Sequence, residues 1–363
     1  MNLNEEKEEA LYESLQAYKA SLSEKEIEEI VERTHALRAY QESEDSREAL
    51  ETIPLLERGD IEKEAQKLKN QLVKGDKADI LVHEVETNGI AYLRYMFDIS
   101  DMEEEKLLYV GLMKILIGLM NTENYSYTEL FNEIHIRTGG MGIVTNFFPD
   151  YRDETKYKLT LDVKTKVLYG QLKPAYEIME EMILKTDFTD KKRLKELLLE
   201  VKSKMQSGFV SAGHTLAAGR ALSYFSSGSR INEVLKGLEQ YRFIEDLLNH
   251  FDEKIDGTIE VMQALCRSIF VKERLLVDYT GTKKGFDEVK TISEAFCEVL
   301  YEDADVVKEI KPVTCQPKNE AFKTSGQVQF VCRAGNFKEK GLQYTGALKV
   351  LRVMMGLSYL LWH

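Results

Sequence analysis

The sequence predicts an α+β fold: a mostly antiparallel sheet with helices packed on one face, preceded by a helical hairpin. Three patterns carry that prediction. Residues 1–56 repeat apolar side chains at helical spacing. Tyr157, Leu159, Leu161 and Val163 alternate strictly with Lys156, Lys158, Thr160, Asp162 and Lys164, as a strand with one wet face does. From Leu168 to about Phe270 the pattern is helical again, and Arg274 to Gly281 then returns to a strand.

Taken in order, Leu11, Leu15 and Tyr18 mark one face of a first helix, and Ile27, Ile30, Val31, Thr34 and Leu37 mark a second. Ser23 followed by Glu26 is a capping box, so the second helix starts near Glu24. The polar run Gln41 to Arg47 and then Pro54 end it. A solvated hairpin (1–56) is the plain reading, and too few heptads follow one another for a long coiled coil. In the body (57–302), Thr87-Asn88-Gly89 between Ile80–Glu86 and Ile90–Asp98 signals a β-hairpin. A helix is expected from Met102 to Met120, and a second capping box, Ser126 with Glu129, opens another that stops at Gly139-Gly140. Met141 to Phe147 alternates as a strand, and Gly285 to Tyr301 closes the body with a helix.

Residues 303–325 contain Pro312 and Pro317 among polar neighbours and read as a linker. Beyond it the pattern restarts. Gly326 to Arg333 resembles the strand after Gly89, and Gly346-Ala347-Leu348-Lys349-Val350-Leu351 matches Gly111-Leu112-Met113-Lys114-Ile115-Leu116. A strand and a helix repeated in order suggest a duplicated domain whose second copy (326–363) holds only its beginning.

The chain has 363 residues, 49 basic and 62 acidic, a net charge of −13. Residues 1–64 hold 19 acidic and 8 basic side chains, so nearly all of the acidity sits in the arm and the remainder is close to neutral. This balance argues against nucleic acid or an anionic membrane as the main partner. The longest apolar stretch, Leu107 to Met120, is interrupted by Gly111, Lys114 and Gly118 and is too short to span a bilayer. Met1 to Ala10 fits neither a secretory signal nor a transit peptide. Four widely spaced cysteines (266, 297, 315 and 332) suit a reducing, cytoplasmic setting.

The search for chemistry returns mostly absences. No two of the six histidines lie within five residues of each other, so no helical turn presents two imidazoles to zinc. Phosphate-loop and nucleophile-elbow motifs are missing. His83-Glu84 falls in a strand, where neighbours point to opposite faces, and reads as a surface pair. One stretch stands out, Ser207 to Ser229, where four glycines accompany His214 and Arg220. Arg220 could hold a carboxylate or a peptide carbonyl there; the competing reading is a tight helix crossing with Arg220 paired to an acid.

These residues carry a resemblance. Arg38 to Leu55 (RAYQESEDSREALETIPL), then Thr87 to Tyr92, Gly139-Gly140, Gln327 to Val331 and Tyr344 to Leu351, resemble the presequence-protease branch of the insulinase (pitrilysin) family of zinc metallopeptidases. The resemblance implies the end of that branch's linker hairpin, its third domain and the opening of its fourth. It also accounts for the absent chemistry, because in this family only the first of four related domains carries H-x-x-E-H. Laid on Gly111 to Gly118, the family's G-x-x-H-x-x-E-H puts Lys114, Ile117 and Gly118 at the functional positions, and none can bind zinc or activate water. Gly213-His214-Thr215-Leu216-Ala217-Ala218-Gly219-Arg220 resembles the branch's G-H-x-x-A-x-x-R stretch, which places His214 and Arg220 as possible chamber-lining residues. The arginine and tyrosine groups that the family's fourth domain offers to substrate have no counterpart to be carried over here.

The resemblance therefore implies a non-catalytic portion of a peptidase that degrades unstructured oligopeptides. Its expected partners are the remaining domains of the parent and a peptide. No cofactor is expected in this chain; zinc belongs to the parent's catalytic domain. The alternative is a complete binding or scaffold subunit that pairs with a separate catalytic chain.

Overall fold

The computed structural model describes residues 3–65, 67, 69–150, 152, 153, 156–302, 313, 315–323 and 328–357. It divides into two compact units, Met1–Lys67 and Leu68–His363.

The first unit is helical: α1 (Leu3–Ser21), α2 (Glu24–Glu42) and the short α3 (Arg47–Glu51). The capping box forms as expected: the Glu26 N–H bonds Ser23 Oγ at 3.4 Å, and the Ser23 N–H bonds Glu26 Oε2 at 2.8 Å. Helix α2 buries no residue, and Leu11, Leu15, Tyr18, Ile30, Val31 and Leu37 are all exposed. The apolar stripe read from the sequence is present, but it forms no core.

The second unit is built on six strands: β1 (Gln71–Val73), β2 (Asp79–Glu84), β3 (Ile90–Asp98), β4 (Met141–Pro149), β5 (Tyr157–Leu168) and β6 (Leu275–Gly281). Their spatial order is β1-β2-β6-β3-β5-β4, and only the β2–β6 pair is parallel. The expected β-hairpin at Asn88-Gly89 is therefore half right. The turn exists, with Asn88 and Gly89 at φ of 51° and 83° and the Ile90 N–H bonded to the Thr87 carbonyl at 3.1 Å. Its two strands do not pair with each other, however, because β6 lies between them and bonds both. Pairing across about two hundred residues of chain overrides the local signal.

Helices cover one face of this sheet: α4 (Glu104–Leu116), α5 (Tyr127–Arg137), α6 (Leu172–Leu184), α7 (Lys191–Ser211), α8 (Gly213–Leu222), α9 (Ser227–Lys236), α10 (Leu238–Asn249), α11 (Phe251–Ile269) and α12 (Lys283–Val299). Beneath them lie the inward residues of the central strands, Leu93, Tyr95 and Phe97 on β3 and Leu161 and Val163 on β5. Phe97 meets Phe270 edge to face with ring centres 5.1 Å apart. Tyr95 is fully buried, with its hydroxyl 2.8 Å from Ser293 Oγ and also bonded to Tyr176. The opposite face carries Arg94, Lys158, Lys164 and Lys166, which explains the strict alternation along β5.

Arg274 locks the start of β6. It is buried, donates to both oxygens of Asp101 at 2.6 and 2.7 Å, and bonds the carbonyls of Ser268 and Asp98.

Two other expectations change. Helix α4 stops at Leu116 rather than Met120, since Ile117 leaves helical geometry and Gly118 takes φ +90°. The strand expected at 326–333 is absent over its described part, 328–333. The helix expected after it is present as α13 (Gly346–Leu357). Of the expected linker, residues 313 and 315–323 lack regular structure; the remainder lies outside the described residues.

Candidate functional site

Helix α4 carries the positions at which the related peptidases would hold zinc. Its Gly111 is a packing residue: a Cβ there would lie 2.6 Å from the Leu235 carbonyl oxygen and 3.0 Å from Gln240 Oε1, so α4 and α9 cross at close range. One turn later Lys114 is half-buried, with no carboxylate in ion-pair range among the described residues. Burial, and then repulsion from Lys236, lowers its proton affinity. Ile117 is buried in the core, and Gly118 is already outside the helix in left-handed backbone. Positions 114, 117 and 118 thus do not share a helical face. Even with ligating side chains installed, this backbone would not present them together. Among the described residues no group of three His, Cys, Asp or Glu side chains is placed to hold a metal ion.

The Gly-His stretch forms α8, and the structure separates its two candidate residues. His214, in the first turn, is exposed and lies 5.8 Å from the Phe330 ring, centre to centre. Arg220, near the C-terminal end, is buried, and its guanidinium is occupied by three carboxylates. Its Nη1 donates to Glu239 at 2.8 Å and Glu233 at 3.2 Å, while Nε and Nη2 reach the two oxygens of Glu320 at 2.8 and 3.3 Å. Arg230 joins the same network through Glu239 and ties it to Glu104 at the start of α4. Tyr224 also donates to Glu320.

The electrostatics follow from this pairing. Burial opposes the Arg220 charge, but its bonds to Glu320 and Glu239 outweigh that and raise its proton affinity. The Arg220 bond holds the Glu320 carboxyl down at about 2 despite partial burial. Glu233 shifts the other way, because burial outweighs the attraction of Arg220. Burial pushes Tyr224 up to about 12, helped by its bond to Glu320.

Arg220 is thus paired to acids, as the competing sequence reading had it, and its hydrogen-bonding capacity goes into the fold. Sequence reasoning missed Glu233, Glu239, Glu320 and Arg230. The one local hint was Tyr224, placed four residues after Arg220 on the same helical face. Glu320 lies a hundred residues away, and no local pattern points to it. No nucleophile stands beside a base in this cluster, so it is suited to holding elements together and not to bond cleavage.

A six-stranded, mostly antiparallel sheet under a helical layer, with its metal-helix equivalent stripped of ligands, defines a non-catalytic α+β domain of peptidase type. Comparison with known proteins gives the lineage. The family described as peptidase M16 subfamily C associated matches residues 1–247, and the chain belongs to it. Protein HypA of Clostridium perfringens is 30% identical over 99% of this chain and 36% of its own length. Presequence protease 1, chloroplastic/mitochondrial, of Arabidopsis thaliana is 26% identical over 93% of this chain and 31% of its own. A solved peptidase M16 inactive domain from Pseudomonas fluorescens superposes with a TM-score of 0.46 at 13% identity, over 68% of this chain and 54% of that one. The chain spans about a third of the length of the curated relatives it matches.

Proposed function

We propose that this chain is a non-catalytic portion of a zinc metallopeptidase that degrades unstructured oligopeptides, and that it forms part of the wall of the chamber enclosing the peptide. The observation that carries the reading is the end of α4. A helix standing where the family's zinc helix stands has Lys114 in a ligand's place and terminates at Gly118 before the motif is complete. Membership of the peptidase-associated family and relatives named presequence protease support the peptidase context.

In this reading the partners are the remaining domains of the parent and a peptide substrate, and zinc resides in the parent's catalytic domain. Nucleic acid and membrane are not partners. No helix among the described residues is long and apolar enough to cross a membrane. All four cysteines are free, which is compatible with the proposed cytoplasmic setting.

The test is metal analysis of the purified chain together with a peptidolysis assay. Zinc well below one per chain and no chelator-sensitive cleavage are expected. One tightly bound zinc with chelator-sensitive cleavage would sink the proposal.

A further inference from the structure

The segment after α12 has no regular secondary structure over residues 315–323 and 328–333, yet it is tied to the helical layer at separate points. At the first, Glu320 enters the Arg220 and Tyr224 pair and is largely shielded from solvent despite belonging to an extended surface segment. Nearby, the Arg242 guanidinium stacks over the Phe322 ring at 5.5 Å. At the second, the Phe330 ring covers Gly213 so closely that a Cβ there would lie 2.6 Å from it, and the ring also tilts against His214. The Cys332 thiol lies 3.8 Å from the His214 carbonyl. Both attachment points are on α8, one at each end: glycine and histidine at its start, arginine near its finish.

We propose that α8 is the receptor of a two-point clasp that holds the chain's own connecting segment. An ionic lock seats Glu320 on Arg220, and an aromatic lock seats Phe330 on Gly213 and His214. The glycine at 213 is explained by this fit, since only a residue without a side chain lets an aromatic ring lie against the helix start. Glu320 is explained as well: it completes the donor set of a buried arginine that Glu233 and Glu239 leave partly unmet. The clasp fixes the path of the chain from the end of the body toward α13, so it sets where the following segment begins. It stands on these contacts alone, whatever the activity of the parent.

The native cysteines report on it. Cys315 sits partly shielded at the start of the strap, and burial raises its pKa, whereas Cys332 is already exposed. Purified full chain is treated with a maleimide at fixed pH, and labelling of the peptides containing Cys315 and Cys332 is followed by mass spectrometry. Glu320→Gln is expected to speed Cys315 labelling on the order of tenfold, because a charge-assisted bidentate contact is lost. Phe330→Ala tests the aromatic lock and is expected to raise Cys315 labelling less than Glu320→Gln does. Lys323→Gln, on the exposed side of the same segment, is expected to leave the rate unchanged. Circular dichroism of each variant confirms that the body remains folded. Unchanged labelling in both lock variants would overturn the clasp, as would equal acceleration by Lys323→Gln.

Discussion

The arm and the body contain the same local device in two settings. Ser23 with Glu26 and Ser126 with Glu129 both close capping boxes of nearly equal geometry: 3.4 and 2.8 Å in the arm, 3.3 and 2.9 Å in the body. Helix α2 of the arm then buries nothing, whereas α5 of the body buries Leu130 and Ile134. Capping starts a helix in either setting, but only the helix in the body contributes to a core. An apolar stripe at helical spacing shows that a helix can form; whether the stripe is covered depends on the rest of the chain.

Core truncation separates the two regions most sharply. Phe97→Ala leaves a cavity beneath the helical layer and is expected to cost about 3–5 kcal/mol, measured by denaturant unfolding, while Leu15→Ala on the exposed stripe costs less than about 0.5 kcal/mol. Equal losses would mean that the stripe is packed in solution. The caps come next. Ser126→Ala is expected to cost about 1 kcal/mol and to lower the midpoint of body unfolding by roughly 2–4 °C. Ser23→Ala is expected to reduce helix content by circular dichroism without moving that midpoint. A shift of the body midpoint in both would show that arm and body unfold as one cooperative unit.

Acid gives the smallest effect. Bonds to the cap serines hold the Glu26 and Glu129 carboxyls below their ordinary value of 4.5. Their contribution is therefore complete above that value and fades as pH falls through the lowered folded-state values. Far-ultraviolet ellipticity that first declines above pH 5 would contradict this.

Local chemistry made much of the fold legible. Both capping boxes, the β5 alternation, the Asn88-Gly89 turn and most helix boundaries follow from neighbours within four residues. The failures share one cause. Strand β6 inserts between β2 and β3 because its inward Val277 and Tyr279 complete the core there, which no pattern near Gly89 records. Val328 to Arg333 has strand-like composition but no partner strand, and Phe330 is used against α8 instead. At the candidate site the lost zinc chemistry was legible at Lys114 and Ile117, since it depends on residue identity. The role of Arg220 was not, because Glu320 reaches it from a hundred residues away.

The place of β6 also bears on how the domain is made. Ile80 pairs with Val277, and Tyr95 also pairs with Val277 from the other side, so the strand that joins the two parts of the sheet is the last to be synthesised. Until residue 281 has left the ribosome, β1-β2 and β3-β5-β4 are separate ribbons, each with an open inner edge. The nascent chain must shelter those edges through the whole helical stretch, and a product truncated before Leu275 would retain two sticky half-sheets.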